Sequence, residues 1–171
     1  MATSSVPPPA VVITGASTGI GKACALELDR RGFRVFAGVR SESAAQELQA
    51  QASARLTPVR IDVTDAASIA AAAETIARSV GDAGLAGLVN NAGIAVSGPL
   101  EIVPIDALRR QLEVNVIGPV AVTRSLLPLL RKARGRVVNM SSISGGVAAP
   151  YLGPYSASKF AMEAITDTLR L

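Results

Sequence analysis

Tyr155 and Lys159 stand four residues apart. On a helix that spacing sets a phenol and an amine on one face. A phenol, with a reference pKa near ~10, is a poor base in neutral water. An ammonium ~4 Å away, in an effective dielectric of ~20, favours the phenolate by ~4 kcal/mol, about three pK steps. Such a pair moves protons near neutral pH without histidine, and this chain contains none. Tyr-x-x-x-Lys alone is too common a spacing to mean anything. Here it follows Met140-Ser141-Ser142 through the glycine-containing stretch 143–154.

The second chemical signal is the run Thr14-Gly15-Ala16-Ser17-Thr18-Gly19-Ile20-Gly21, which follows an apolar Val-Val-Ile run and opens a helical pattern. A helix N-terminus after a strand offers free N–H groups and the positive end of the helix dipole. Glycines let the backbone turn tightly and approach a pyrophosphate. The spacing is G-x3-G-x-G, and its place between strand and helix points to a dinucleotide. The next strand then chooses between cofactors. It ends Gly38-Val39-Arg40-Ser41, with an apolar residue where an NAD site wants an acid, and with Glu42 beyond reach. Arg40 suits a 2′-phosphate, so NADP(H) is favoured and NAD(H) is the second choice.

The elements that must carry these groups alternate. Apolar, β-rich runs predict strands at 11–14, 34–39, 57–63, 85–89 and 136–140. Helical periodicity predicts helices at 20–31, 43–52, 65–80, 106–132 and 155–171, the last with Ala161, Met162, Ile165 and Leu169 on one stripe. Strands separated by helices mean βαβ units and a parallel α/β sheet, whose ligands bind at strand C-ends. Both chemical signals then lie on the same edge. Inside the long helix, Pro119 has no N–H for the carbonyl of Asn115. That predicts a kink with a free acceptor suited to an ordered water.

Composition removes other classes. At 171 residues, 49% hydrophobic and 18% charged, the chain suits one folded domain rather than disorder. One cysteine, Cys24, and no histidine exclude disulfide scaffolds, His-based metal sites and Ser-His relays. The net charge of +4 comes from 17 basic and 13 acidic residues spread along the chain. Its one cluster, Arg131, Lys132, Arg134 and Arg136, reads as a solvated helix end, and aromatics are only 3%. Nucleic acid is therefore not an expected partner. No uninterrupted apolar run approaches ~18 residues, so no membrane span is expected. The opening MATSSVPPPA lacks a signal-peptide pattern and reads as a disordered lead-in over 1–10, ahead of one domain over 11–171. A cytoplasmic protein is the expectation.

Five motifs in order make the chain resemble the short-chain dehydrogenases/reductases from Val11 to Leu171. They are the loop Thr14 to Gly21; Asp62-Val63; Asn90-Asn91-Ala92-Gly93; Asn115; and Ser142 with Tyr155-Ser-Ala-Ser-Lys159. The resemblance implies a Rossmann-like doubly wound sheet with five strands present in the order 3-2-1-4-5. It implies that Gly15, Ser17, Thr18, Gly19, Ile20 and Gly21 line the pyrophosphate and that Asp62 and Val63 flank the adenine. Asn91, Ala92 and Gly93 would brace the sheet and approach the adenine ribose. Ser142 would bind the substrate oxygen and Tyr155 would exchange its proton. Lys159 would hold the nicotinamide ribose and tune Tyr155, while Asn115 would hold a proton-relaying water. The residues alone do not separate Ser142 from Ser141.

The implied activity is hydride transfer between a nicotinamide and an alcohol or carbonyl carbon. The stretches 35–40 and 150–170 are similar to the hydroxysteroid and retinol dehydrogenase branch, which implies a small hydrophobic substrate. A cofactor-binding but non-catalytic relative is the alternative, and such relatives typically lose the Tyr or the Lys. Arg170-Leu171 ends an amphipathic helix without a stop signal and reads as a truncation. Members of the family continue for two more strands and a helix, and the full-length protein is expected to form homo-oligomers.

Overall fold

Valine and isoleucine at consecutive positions have stiff, β-favouring side chains, and a strand buried on both faces needs no polar alternation. Strand β1 (Ala10–Ile13) is such a run, with all four residues buried. The structure, a computed structural model, describes residues 7–170. The remaining strands are β2 (Arg34–Val39), β3 (Leu56–Arg60), β4 (Gly87–Asn90) and β5 (Arg136–Asn139). All pair in parallel in the order β3-β2-β1-β4-β5, with Val12 facing Phe36 on one side and Leu88 on the other. This is the expected doubly wound sheet.

Among the described residues there are six α-helices, five lying between strands and the last following β5: α1 (Gly19–Arg30), α2 (Glu42–Gln49), α3 (Ala66–Val80), α4 (Ile105–Leu112), α5 (Gly118–Lys132) and α6 (Gly153–Thr168). Local chemistry sets several ends. Ser41 caps α2 by accepting from the Ala44 N–H, and Asp65 caps α3 by accepting from the Ala67 N–H. Helices α1 and α2 cover one face, where Ala25 and Leu48 meet Ile13 and Val35. Helices α3 and α5 cover the other, where Ile76, Leu126 and Leu130 meet Val12, Phe36 and Leu88. Burying each such Leu or Ile stabilises the fold by about 1.5–3 kcal/mol.

Two expectations need correction and a third needs a qualification. The lead-in is shorter than 1–10: Ala10 already belongs to β1, and the carbonyl of Pro9 accepts the Arg34 N–H at 3.0 Å. The part of that expectation falling on residues 1–6 lies outside the described residues. The helix expected over 106–132 is not uniform. A π-helical segment, Glu113–Ile117, separates α4 from α5, with the Gly118 N–H reaching back five residues to the carbonyl of Glu113. Proline at 119 withholds an i−4 bond, and the backbone takes up the loss by widening one turn. Finally, the rod Ile105–Lys132 is long and apolar enough to cross a bilayer by length and composition. Its stripe Val122, Leu126 and Leu130 is buried against the sheet.

The basic cluster behaves as expected: Arg131, Lys132, Arg134 and Arg136 are exposed, and Lys132 pairs with Asp82 at 2.7 Å. Strand β5 pairs only with β4 among the described residues, and Val138 is 50% exposed. On α6, Met162 is buried, whereas Leu169 on the same stripe is 46% exposed.

Candidate active site

Parallel strands deliver their following loops to one edge. There a cleft of about 700 Å³ opens, within the size range of cofactor sites. Four walls form it. Gly15, Ser17 and Thr18 follow β1; Gly38 and Arg40 end β2; Ile61 to Thr64 follow β3; and Asn91 to Ile94 follow β4. Arg109, Arg110, Glu113 and Val114 close it from the rod.

The first loop is shaped by close approach. Gly15 has φ +65° and lies so near the Ala92 backbone that a Cβ would fall 2.7 Å from the Ala92 Cα. Asn91 clasps the loop by donating from Nδ2 to the carbonyls of Thr14 and Gly15, both at 3.0 Å. Thr14 returns the contact, its Oγ1 accepting the N–H groups of Asn91 and Ala92 at 3.0 Å. A Cβ on Gly21 would collide with the Gly15 carbonyl oxygen and with Asn91 Nδ2. Thr18, at the N-cap of α1, gives no side-chain cap bond, and the first turn of α1 holds no acid. The first-turn N–H groups are thus left for an anion, which fits a dinucleotide pyrophosphate.

The charged lining of the cleft is Arg40, Arg109 and Arg110 against Asp62 and Glu113. Asp62 accepts from the Thr64 N–H at 2.9 Å and the Thr64 hydroxyl at 2.7 Å. Those two bonds hold its carboxyl below the ordinary range against the opposing effect of burial, and the charges of Arg40 and Arg110 add to the lowering. Glu42 lies in the first turn of α2 and is not part of the cleft lining.

Ser142, Tyr155 and Lys159, the residues expected to handle substrate and proton, are not part of the cleft's lining. Lys159 is only 7% exposed, and its Nζ donates to the Met140 carbonyl at 2.6 Å, just past β5. It lies 5.6 Å from the centre of the Tyr155 ring. Burial pushes its pKa below the usual value for a lysine. Among the described residues no carboxylate pairs with it, and the Tyr155 hydroxyl makes no hydrogen bond. Ser142 starts a 3-10 turn, Ile143–Gly145, by accepting the Ser144 N–H at 3.2 Å, and this turn packs on α6. The neighbouring Ser141 hydroxyl is buried without a partner.

Asn115 joins the two halves. Its Oδ1 accepts the Ile94 N–H, and its Nδ2 donates to the Ile94 carbonyl, each at 2.9 Å, and to Ser158 Oγ at 3.1 Å. Ser158 precedes Lys159 and donates to the Tyr155 carbonyl at 2.7 Å. The Asn115 side chain is therefore fully engaged, leaving its backbone carbonyl, deprived of a Pro119 donor, as the water-binding candidate.

Of the loop residues expected to line the pyrophosphate, Gly15, Ser17 and Thr18 face the cleft, while Gly19, Ile20 and Gly21 form the first turn of α1 behind it. Arg40, Asp62, Val63, Asn91, Ala92 and Gly93 all line it. Sequence reasoning missed Gln111. It is fully buried, donates to the Ile94 carbonyl at 2.9 Å and accepts the Val96 N–H at 2.6 Å. The signal was a second amide one turn before Asn115. It gave no role to Asn90 of the quoted motif, whose Nδ2 donates to Thr123 and to Asn139 of β5, and it missed the three charged rod residues.

With this geometry in view, comparison with known proteins is decisive. The family model for short chain dehydrogenases matches residues 9–171. This chain belongs to the short-chain dehydrogenase family. Within it, the chain is 47% identical over 161 residues to retinol dehydrogenase 5 of Mus musculus and 51% identical over 162 residues to 17-beta-hydroxysteroid dehydrogenase type 6 of Bos taurus. Both alignments take in 94% of this chain, and the chain spans about half (50%) of each relative's length. Within the family, the relatives that this short-chain dehydrogenase is similar to are thus a retinol and a hydroxysteroid dehydrogenase. Among solved structures, a short-chain dehydrogenase from Streptomyces avermitilis superposes with a TM-score of 0.88 at 34% identity, over 95% of this chain and 59% of that one. An alcohol dehydrogenase from the archaeon Thermococcus sibiricus, complexed with 5-hydroxy-NADP, gives 0.87 at 29% identity, over 95% and 70%.

Proposed function

We propose that this short-chain dehydrogenase interconverts a hydrophobic alcohol and its ketone or aldehyde with NADP(H), and that Tyr155 moves the proton on the substrate oxygen. One observation carries the reading. An ammonium removed from water without a carboxylate partner costs several kcal/mol, yet Lys159 is held in that state, its charge turned toward the Tyr155 ring. A purely structural position would be filled more stably by an apolar residue. A buried cation beside a phenol is what proton transfer needs.

The rest of the chain supports it. Gly15, Ser17, Thr18 and the N-terminus of α1 would hold the pyrophosphate; Gly19, Ile20 and Gly21 would shape that turn. Asp62, Val63, Asn91, Ala92 and Gly93 would receive the adenosine, and Arg40 a 2′-phosphate. When bound, the nicotinamide supplies the hydride donor or acceptor. Tyr155 gives its proton to a carbonyl oxygen or takes one from a hydroxyl. Ser142 Oγ hydrogen-bonds that oxygen. Lys159 stabilises the phenolate, and the Asn115 carbonyl holds water that returns the proton. The names of the relatives, a retinol and a hydroxysteroid dehydrogenase, support an apolar substrate.

The test is NADPH-dependent reduction of hydrophobic ketones and aldehydes by the native protein and by Tyr155→Phe, with NADPH binding followed by its fluorescence. Both proteins should bind NADPH, and the variant should lose about 10²–10⁴-fold in turnover. Turnover retained in Tyr155→Phe removes the phenol from the reaction. NADPH binding without turnover in the native protein overturns the enzymatic reading.

A further inference from the structure

A phosphate that carries nearly two charges is poorly served by one exposed guanidinium. The glycine loop offers only the hydroxyls of Ser17 and Thr18, and Lys22, the nearest cation of α1, is tied to Glu47 at 2.6 Å. The rod presents two arginines to the cleft. Arg109 is engaged by Asp106 at 2.9 Å. Arg110 and Arg40 make no ion pair among the described residues. They stand on different walls, the α4 side and the end of β2, and both act on the same carboxylate, Asp62. That carboxylate is already engaged by Thr64. Glu113 is the other acid of the lining.

We infer that Arg110 is a second specificity determinant of this cleft, which with Arg40 brackets a phosphate on the adenosine ribose. The inference rests on the NADP(H) reading and adds a residue on the opposite wall. It makes phosphate recognition depend on the α4 side of the cleft as well as on the second strand. An arginine two-point clamp favours the 2′-phosphorylated nucleotide and acts little on one with a bare 2′-hydroxyl, which carries no charge at that position.

Calorimetric titration with 2′,5′-ADP and 5′-AMP, which differ only in the 2′-phosphate, tests it without requiring catalysis. The native protein should prefer 2′,5′-ADP. Arg110→Gln should weaken 2′,5′-ADP about tenfold and 5′-AMP less than about twofold, with Arg110→Lys between. The difference should shrink as salt rises to about 0.5 M. Equal weakening of both ligands, or none, overturns the inference. If the native protein discriminates, and only Arg40→Gln abolishes the preference, Arg110 falls and the NADP(H) reading stands. If the native protein fails to discriminate, both fall together.

Discussion

Replacing Gly21 by alanine probes whether the loop and the Asn91 strap form one unit. The added methyl would lie on the Gly15 carbonyl oxygen and on Asn91 Nδ2, with the Gly15 carbonyl carbon at 3.0 Å. Two of these neighbours are backbone, so they cannot swing aside. Overpacking of this kind costs about 1–3 kcal/mol. Displacing the Asn91 amide forfeits at least one of its two bonds to the loop, about 1 kcal/mol more. Alanine returns about 1 kcal/mol through its helix propensity. The net is about 2 kcal/mol, which for a chain of this length lowers Tm by about 4–8 °C. Gly146→Ala is the control: its nearest neighbour, the Ile143 carbonyl oxygen, is 3.9 Å away, so the change should stay within about 0.5 kcal/mol. Thermal melts followed by circular dichroism read both. If Gly21→Ala melts with Gly146→Ala, the strap does not constrain the loop and the cradle described above is wrong.

Lys159→Met should lower turnover by about 10²–10⁴-fold while changing stability little at neutral pH. The lost bond to Met140 is offset by relief of a buried charge. Because the folded pKa of Lys159 lies below its ordinary 10.5, the unfolded chain binds more protons between the two values. Native stability should therefore gain from this group as pH rises through that window, and denaturation of Lys159→Met should lack the gain. Asp29 has the same direction of pH dependence, but there the charged form is the one the fold favours. Burial acts to raise its pKa, but the Ser53 hydroxyl and N–H, with Arg55, hold it below 3.8. Asp29→Asn should cost about 1.5–3 kcal/mol at neutral pH, a deficit that disappears in urea titrations as acid protonates the native carboxyl. Asn115→Ala and Ser158→Ala should be coupled by about 0.5–3 kcal/mol in a double-mutant denaturation cycle, and strict additivity would mean that their 3.1 Å contact does not bridge α6 to the rod.

Much of the scaffold can be read from residues near in sequence. Runs such as Val11-Val12-Ile13 and Val35-Phe36-Ala37 state strands by themselves, and Asp65 and Ser41 state helix starts through bonds spanning two or three residues. The cleft's main lining follows, since parallel strands bring their ends to one edge. What escapes depends on distant partners. The Asn91–Thr14 clasp spans 77 positions, and Gln111 meets Ser158 across 47. Whether Arg110 faces solvent or the cleft depends on how α4 sits after a loop of irregular backbone. Pro119 announces a disturbance, but a kink and a widened turn satisfy the same missing N–H. Only packing, with Gly118 so close to Val63 that a Cβ would fall 2.8 Å from its carbonyl oxygen, selects between them.

The widened turn at Glu113–Ile117 sets the angular phase between two halves of one rod. Ahead of it, Gln111 grips the loop after β4 and Arg110 lines the cleft; behind it, Val122 and Leu126 are sunk in the core. Each residue of an α-helix advances the side-chain direction by about 100°. Removal of a single residue here would swing the whole leading half round while the trailing half stayed anchored. The chain is consequently more tolerant of most substitutions in this stretch than of any change in its length.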